Sequence, residues 1–190
     1  MRVAVGVLHW PIYDRNRTIV ATNITNLDVH DIARACRVYG VERYYLIHPS
    51  QEQLMFVHRM LEHWRIGDGA RFNPMRRTAL TMVHTAKSLE AAVLDWSQAE
   101  NLSPKIVATH AKDFAGGSPV TFRNLRIKIE SSQSESLFLL FGTGFGMTED
   151  TLSGCEYLLE PIRGAPPLDY RHLSVRSAVS ICLDRLLGTW

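Results

Sequence analysis

Residues 139–147 of this chain read Leu-Leu-Phe-Gly-Thr-Gly-Phe-Gly-Met. A short apolar run ends in three alternating glycines. This is how a buried strand gives way to a loop whose backbone must approach something closely. The position of the loop constrains the fold more than its content does. Doubly wound nucleotide-binding folds carry their glycine turn after the first strand. Here the turn follows roughly the fifth. A second rigid segment comes soon after, Glu160-Pro161-Ile162-Arg163-Gly164-Ala165-Pro166-Pro167. The sequence therefore points to a ligand site built late in the chain.

Strand and helix signals alternate from end to end. The expected strands are Val3 to Leu8, Glu42 to Ile47, Thr81 to Ala86, Lys105 to Thr109 and Leu137 to Phe141, with a short apolar stretch at Tyr157-Leu158-Leu159. Between them, Asn26, Ser50, Ser88 and Thr148 are candidate helix caps, and a last helix is expected from about Ser174 to Leu187. Gly67-Asp68-Gly69 reads as a turn, 115–119 as a loop, and Phe122 to Ile129 is ambiguous between helix and strand. Such alternation predicts an α/β fold: a mostly parallel sheet flanked by helices on both faces. With 190 residues, 46% of them hydrophobic, no repeat and no linker, a single domain over 1–190 is expected.

The net charge of +2 is too small for a histone-like binder but leaves room for a local basic patch. Cys36, Cys155 and Cys182 are far apart and odd in number, as buried thiols of a reducing, cytoplasmic compartment would be. No apolar run approaches the ~18 residues that span a bilayer. His58 and His63 are not on one helical face and no cysteine pair has zinc spacing, so no metal site is expected. Phosphate-loop and nucleophile-elbow motifs are missing.

In open parallel sheets, ligands sit beyond the carboxyl ends of the strands. Three candidate walls are of this kind: the stretch from Thr109 to Asp113, the glycine loop, and the segment from Ile162 to Pro167. Ahead of them, residues 9–17 mix aromatic and basic side chains, including Arg15 and Arg17, as a surface for unpaired RNA would. Arg71, Arg76 and Arg77 around Pro74 form a second such cluster.

Taken together these motifs resemble the SPOUT superfamily of S-adenosylmethionine-dependent RNA methyltransferases. Asn23-Ile24-Thr25-Asn26-Leu27, Arg34-Ala35 and Tyr39-Gly40-Val41 look like the first motif of the ribose-methylating branch, with Arg34 eleven positions after Asn23, about two more than usual. Residues 140–147 look like the second motif, with Gly-Thr-Gly in place of Gly-Pro-Glu. Glu160-Pro161-Ile162-Arg163-Gly164 and the helix start from Leu173 to Val179 look like the third. The set is also similar to a small bacterial family of stand-alone RNA methyltransferases.

The resemblance implies a C-terminal trefoil knot, a homodimer, and S-adenosylmethionine held largely by backbone atoms. It assigns the cofactor to Thr109, His110, Gly142, Gly144, Gly146, Ile162, Gly164, Leu173 and Ser177, and gives Arg34 and Asn26 to catalysis or substrate orientation. Asp169 would accept a proton, as the acid does in the guanine-N1 branch. Arg163, Arg171 and Arg176 would hold phosphates of a tRNA or rRNA. The acceptor is a ribose 2′-oxygen or a base nitrogen. The alternative is a non-catalytic dimeric module of the same fold that binds cofactor and RNA. A nicotinamide-dependent reading needs an acid near 20 positions past the glycines to hold a ribose, and Glu160 stands there.

Overall fold

The computed structural model describes residues 1–113, 119–132 and 134–189; the loop expected at 115–119 lies almost wholly outside them. A six-stranded sheet runs through the chain, built from β1 (Arg2–Leu8), β4 (Arg43–Ile47), β5 (Val83–Ala86), β6 (Lys105–Ala108), β7 (Ser136–Gly142) and β8 (Tyr157–Leu158). Its order is β5-β4-β1-β7-β6-β8, and every pair in it is parallel. A separate antiparallel pair, β2 (Ile12–Tyr13) and β3 (Ile19–Val20), forms within the aromatic and basic stretch that follows β1.

β7 sits between β1 and β6, so the late strands are interchanged relative to a simple winding outward. The register aligns the carboxyl ends. Leu8 pairs with Ile47 and Gly142, and Ala108 pairs with Leu140 and Leu158. The segments at 9–13, 109–113, 142–147 and 159–173 therefore leave one edge together.

The strands are apolar on both sides because both sides are covered. One core packs Val3, Val5, Val7, Leu137, Leu139 and Phe141 against helices α1 (Ala33–Val38), α2 (Gln51–Arg65), α4 (Pro74–Leu80), α6 (Phe122–Ser131) and α8 (Val175–Leu187). The other packs Tyr45, Ile47, Phe138 and Leu140 against α5 (Leu89–Glu100) and α7 (Glu149–Ser153), with Trp96 at its centre. Val179, Cys182, Leu183 and Leu186 are all buried within this one chain, so the apolar stripe of α8 is core. The Arg126 guanidinium donates to the carbonyls of Arg185 and Gly188, which ends α8 against α6.

Several helix starts follow the capping rule. Ser50, Ser88, Thr121, Thr148 and Ser174 each accept from a backbone N–H three residues on. Thr121, with Phe122, Leu125 and Ile129 buried at helical spacing, resolves the ambiguous stretch as α6. Asn26 is not the cap expected of it. Thr25 is: its hydroxyl accepts from Asp28 N–H while the Asp28 carboxylate accepts from Thr25 N–H, a reciprocal capping box. The helix then opens with a π-helical turn, Asp28–Ile32, before continuing as α1.

The turn expected at 67–69 is instead the start of α3 (Asp68–Phe72). Gly69 is there for close approach, since a Cβ would come within 2.7 Å of the Trp64 ring. Asn73 then caps α4 by accepting from Arg76 N–H at 2.9 Å, with Pro74 in the first turn.

Candidate functional site at the carboxyl edge of the sheet

The glycine loop leaves β7 between β1 and β6 and folds back onto β2. Tyr13 N–H donates to Gly146 C=O at 2.9 Å, and Phe145 N–H donates to Tyr13 C=O at 3.0 Å. Gly144 and Gly146 have positive φ, +56° and +106°, a region that other residues enter at a cost. Added Cβ atoms would come within 2.6 Å of Met147 at Gly142 and 2.9 Å of Ile12 at Gly144. At Gly146 a Cβ would lie 3.7 Å from His110 Nε2, so this glycine and the end of β6 share one wall. The first two glycines are thus fixed by packing, and Gly146 faces His110.

The loop is anchored beneath by a polar chain. His9 Nδ1 meets the Thr22 hydroxyl at 3.0 Å, Thr22 meets the Thr143 hydroxyl, and Thr143 donates to Leu8 C=O at 3.1 Å. His9 is buried, and burial lowers its pKa to about 4; the neighbouring His48 adds to this and Asp28 opposes it. Its neutral ring holds Thr22, and through it the glycine loop, in place. On the neighbouring wall, Thr109 donates to Leu140 C=O, and His110 Nδ1 accepts from Lys112 N–H at 2.9 Å, which orients the ring. Burial lowers the His110 pKa as well.

The third wall, residues 159–173, is closed by charge. Gly164 N–H donates to Asp169 at 2.7 Å, and Arg171 binds Asp169 and Asp113 at once. Arg163 donates to the other Asp113 oxygen at 2.9 Å. Asp113 follows β6 and Asp169 precedes α8, so this clamp fastens the second wall to the third. Arg171 holds both carboxyls below their ordinary pKa. A Cβ on Gly164 would lie 2.5 Å from the Tyr170 backbone, so the turn closes only on glycine.

The structure thus brings Thr109, His110, Gly142, Gly144, Gly146, Ile162 and Gly164 to one edge. Leu173 and Ser177 flank the start of α8, where Ser174 accepts from Ser177 N–H. Arg163 and Arg171, expected to meet phosphates, and Asp169, expected to take a proton, are engaged with one another. Arg176 lies 3.8 Å from Asp31 of the π turn, which sets α8 beside the helix carrying Arg34. Arg34 and Asn26 are exposed. Arg15 is exposed, while Arg17 stacks on Tyr13 at 4.4 Å and pairs with Glu149. Glu160, the acid a nicotinamide reading needs, accepts instead from Phe122 N–H at the start of α6. Among the described residues no cluster of ligating side chains could hold a metal. Among the described residues no helix is long and apolar enough to cross a membrane.

The polar chain under the loop and the acid–arginine clamp were not anticipated. Their members are single Thr, His, Asp and Arg residues spread over the chain, and only topology assembles them.

A six-stranded parallel sheet with this interchange, flanked by helices on both faces, with a glycine turn and a rigid third loop at its carboxyl edge, defines the α/β fold of the chain. A family described as SAM-dependent RNA methyltransferase matches residues 2–188, and the chain belongs to it. An uncharacterized protein of Aquifex aeolicus is 35% identical over 98% of this chain and 88% of its own length. A tRNA (guanine-N(1)-)-methyltransferase of Nitratidesulfovibrio vulgaris is also 35% identical, over 96% of this chain but only 41% of its own length. Among solved structures, TrmJ from Z. mobilis superposes with a TM-score of 0.62 at 12% identity, over 100% of this chain and 70% of that one.

S-adenosylmethionine is therefore the family's cofactor, and the three loops fit it. Asp113 and Asp169, the carboxylates of the second and third walls, are neutralised by Arg171. Half-buried Ile162 and exposed Leu173 offer apolar surface for a flat base, and the glycine turn offers backbone.

Proposed function

We propose that the protein methylates tRNA or rRNA as a cytoplasmic homodimer, with S-adenosylmethionine held by the loops after β6, β7 and β8. The observation that carries this reading is the convergence of those loops, fixed by the Asp113–Arg171–Asp169 clamp. The bound cofactor would supply an activated methyl on a sulfonium, so the protein's share is alignment of donor and acceptor. The glycine turn and the Ile162–Gly164 backbone would hold the nucleoside.

The acceptor favoured is a ribose 2′-oxygen. Asp169, the acid available to a base nitrogen, already accepts from Gly164 and Arg171. Arg34 is the group left to orient the acceptor or its phosphate, since a guanidinium stays protonated and does not act as a base. The π turn supports this role: it takes up one residue more than an α turn, which offsets part of the longer Asn23–Arg34 spacing. A C-terminal trefoil knot is supported by the interchanged strand order and by the return of α8 to the α1 face. Exposed Leu27 and Val38 beside it are available to a second subunit.

The reading is tested by transfer of a labelled methyl group from S-adenosylmethionine to bulk tRNA and rRNA. The wild type should label one of them. Arg34→Ala should lose roughly 100-fold in rate, the scale of a group that acts on the reacting atoms, with cofactor affinity unchanged. A non-catalytic module would give no label with either protein.

A further inference from the structure

Away from the cofactor loops, the π turn, α2 and α4 border an open hollow of about 550 Å³. That lies inside the roughly 300–1,000 Å³ range of small-ligand sites. Asn26, His30, Phe56, Arg59, Trp64 and Arg76 line it, two of them permanently cationic and none acidic. The Arg76 guanidinium lies 4.4 Å from the centre of the Trp64 ring. His30 meets the same ring edge-on, 5.5 Å between centres. His30 Nδ1 is buried and has no hydrogen-bond partner among the described residues.

The local sequence builds this arrangement on purpose of shape. Gly69 lets α3 pass against Trp64, and the Asn73 cap with Pro74 aims α4 so that Arg76 reaches the indole. Phe56 is 42% exposed at the rim, and Arg71 and Arg77 stand on the neighbouring α3 and α4.

We propose that this hollow receives one unpaired nucleotide of the RNA, with its base stacked on the Trp64–Arg76 pair and its phosphate on Arg59. The proposal rests on the reading of the protein as an RNA methyltransferase and adds a specific recognition pocket to it. Three features select this occupant. A planar aromatic–guanidinium pair is a stacking platform for bases. Arg59 and Arg76, set in a largely apolar lining that holds no acid, complement a phosphate. Asn26 belongs both to this lining and to the motif that points to the acceptor, so a strand held here passes the helix that carries Arg34. The exposed Asn26 amide supplies the hydrogen bonds that would tell one base from another.

The test uses the full chain and a labelled ten-nucleotide oligouridylate, followed by fluorescence anisotropy at fixed salt, with a duplex of the same length as comparator. The single strand should bind more tightly than the duplex. Trp64→Ala should weaken it roughly ten-fold or more, on the scale of one stacked base, and Trp64→Phe should retain most of the affinity. Arg59→Ala should weaken it and reduce its salt dependence. S-adenosylmethionine binding, read separately by calorimetry, should stay within two-fold of wild type in all three. Where Trp64→Ala does not fold, the comparison of Arg76→Gln with Trp64→Phe carries the same test. Equal binding by Trp64→Ala and wild type, or no preference for the single strand, overturns the proposal. So does a change in sedimentation that tracks the loss of binding, which would make the hollow a contact between subunits. Failure of the wild type to bind S-adenosylmethionine would instead remove the methyltransferase reading, whatever the anisotropy shows.

Discussion

The carboxyl edge of the sheet and the face formed by the π turn, α2 and α4 are built on opposite principles. The first is backbone. Gly142, Gly144 and Gly164 sit where a Cβ would collide, the glycine loop is tied by main-chain bonds to β2, and the charges of the third wall are paired with those of the second. The second is side chain, with an indole, guanidiniums and an imidazole around a hollow. A small cofactor of fixed shape is held well by a rigid frame. A nucleic acid is read by side chains that offer stacking, charge and hydrogen bonds. The proposed reading gives cofactor to one region and RNA to the other, and substitutions should separate the two.

The largest effect is expected at Gly164. A valine there meets Tyr170 backbone, which no rotamer change relieves. Overpacking of this kind costs about 3 kcal/mol, and the affinity for S-adenosylmethionine should fall by roughly 100-fold in calorimetry. Single-strand RNA binding should be little changed. Equal loss of both ligands would dissolve the contrast.

Next comes His9, which joins the frame to pH. Its pKa of about 4 in the folded protein lies below the 6.5 of the unfolded chain. The unfolded state therefore takes the proton first. This contribution to stability is complete above pH 6.5, declines as pH falls from 6.5 to 4, and is level below. Its size is about 3 kcal/mol. Urea unfolding across this range should show the decline, and His9→Gln should reduce it. Burial also lowers the pKa of His30, His48, His84 and His110, so a slope of the same sign should remain.

Most of the frame was legible in the sequence because backbone demands leave fixed marks. Alternating apolar runs gave the strands, Ser and Thr gave the caps, and the glycine and proline segments marked the second and third loops. The order β7 before β6 in the sheet is not written in any local pattern. The hairpin β2–β3 was missed because strands of two residues carry no periodicity. The start of α4 was legible and overlooked: Asn73-Pro74 is a cap followed by a first-turn proline. The hollow around Trp64 was not legible, because residues from 26 to 76 meet only after folding. The cluster of Arg71, Arg76 and Arg77 marked this surface without showing the indole against Arg76.

A smaller effect is expected from Asp113→Asn, which loosens one side of the clamp. Cofactor affinity should weaken less than in Gly164→Val, and RNA affinity should hold. The smallest belongs to Arg17→Ala. Its pair with Glu149 is exposed on both sides, so stability should change by less than about 0.5 kcal/mol. If RNA affinity nonetheless falls, the β2–β3 hairpin extends the RNA face beyond the hollow.

The central claim is that the three loops form an adenosyl site. Calorimetric titration of the wild-type protein with S-adenosylmethionine, S-adenosylhomocysteine and NAD tests it most directly. The account predicts saturable binding of both adenosyl ligands and none of NAD. No binding of either adenosyl ligand, or tighter binding of NAD, would contradict it.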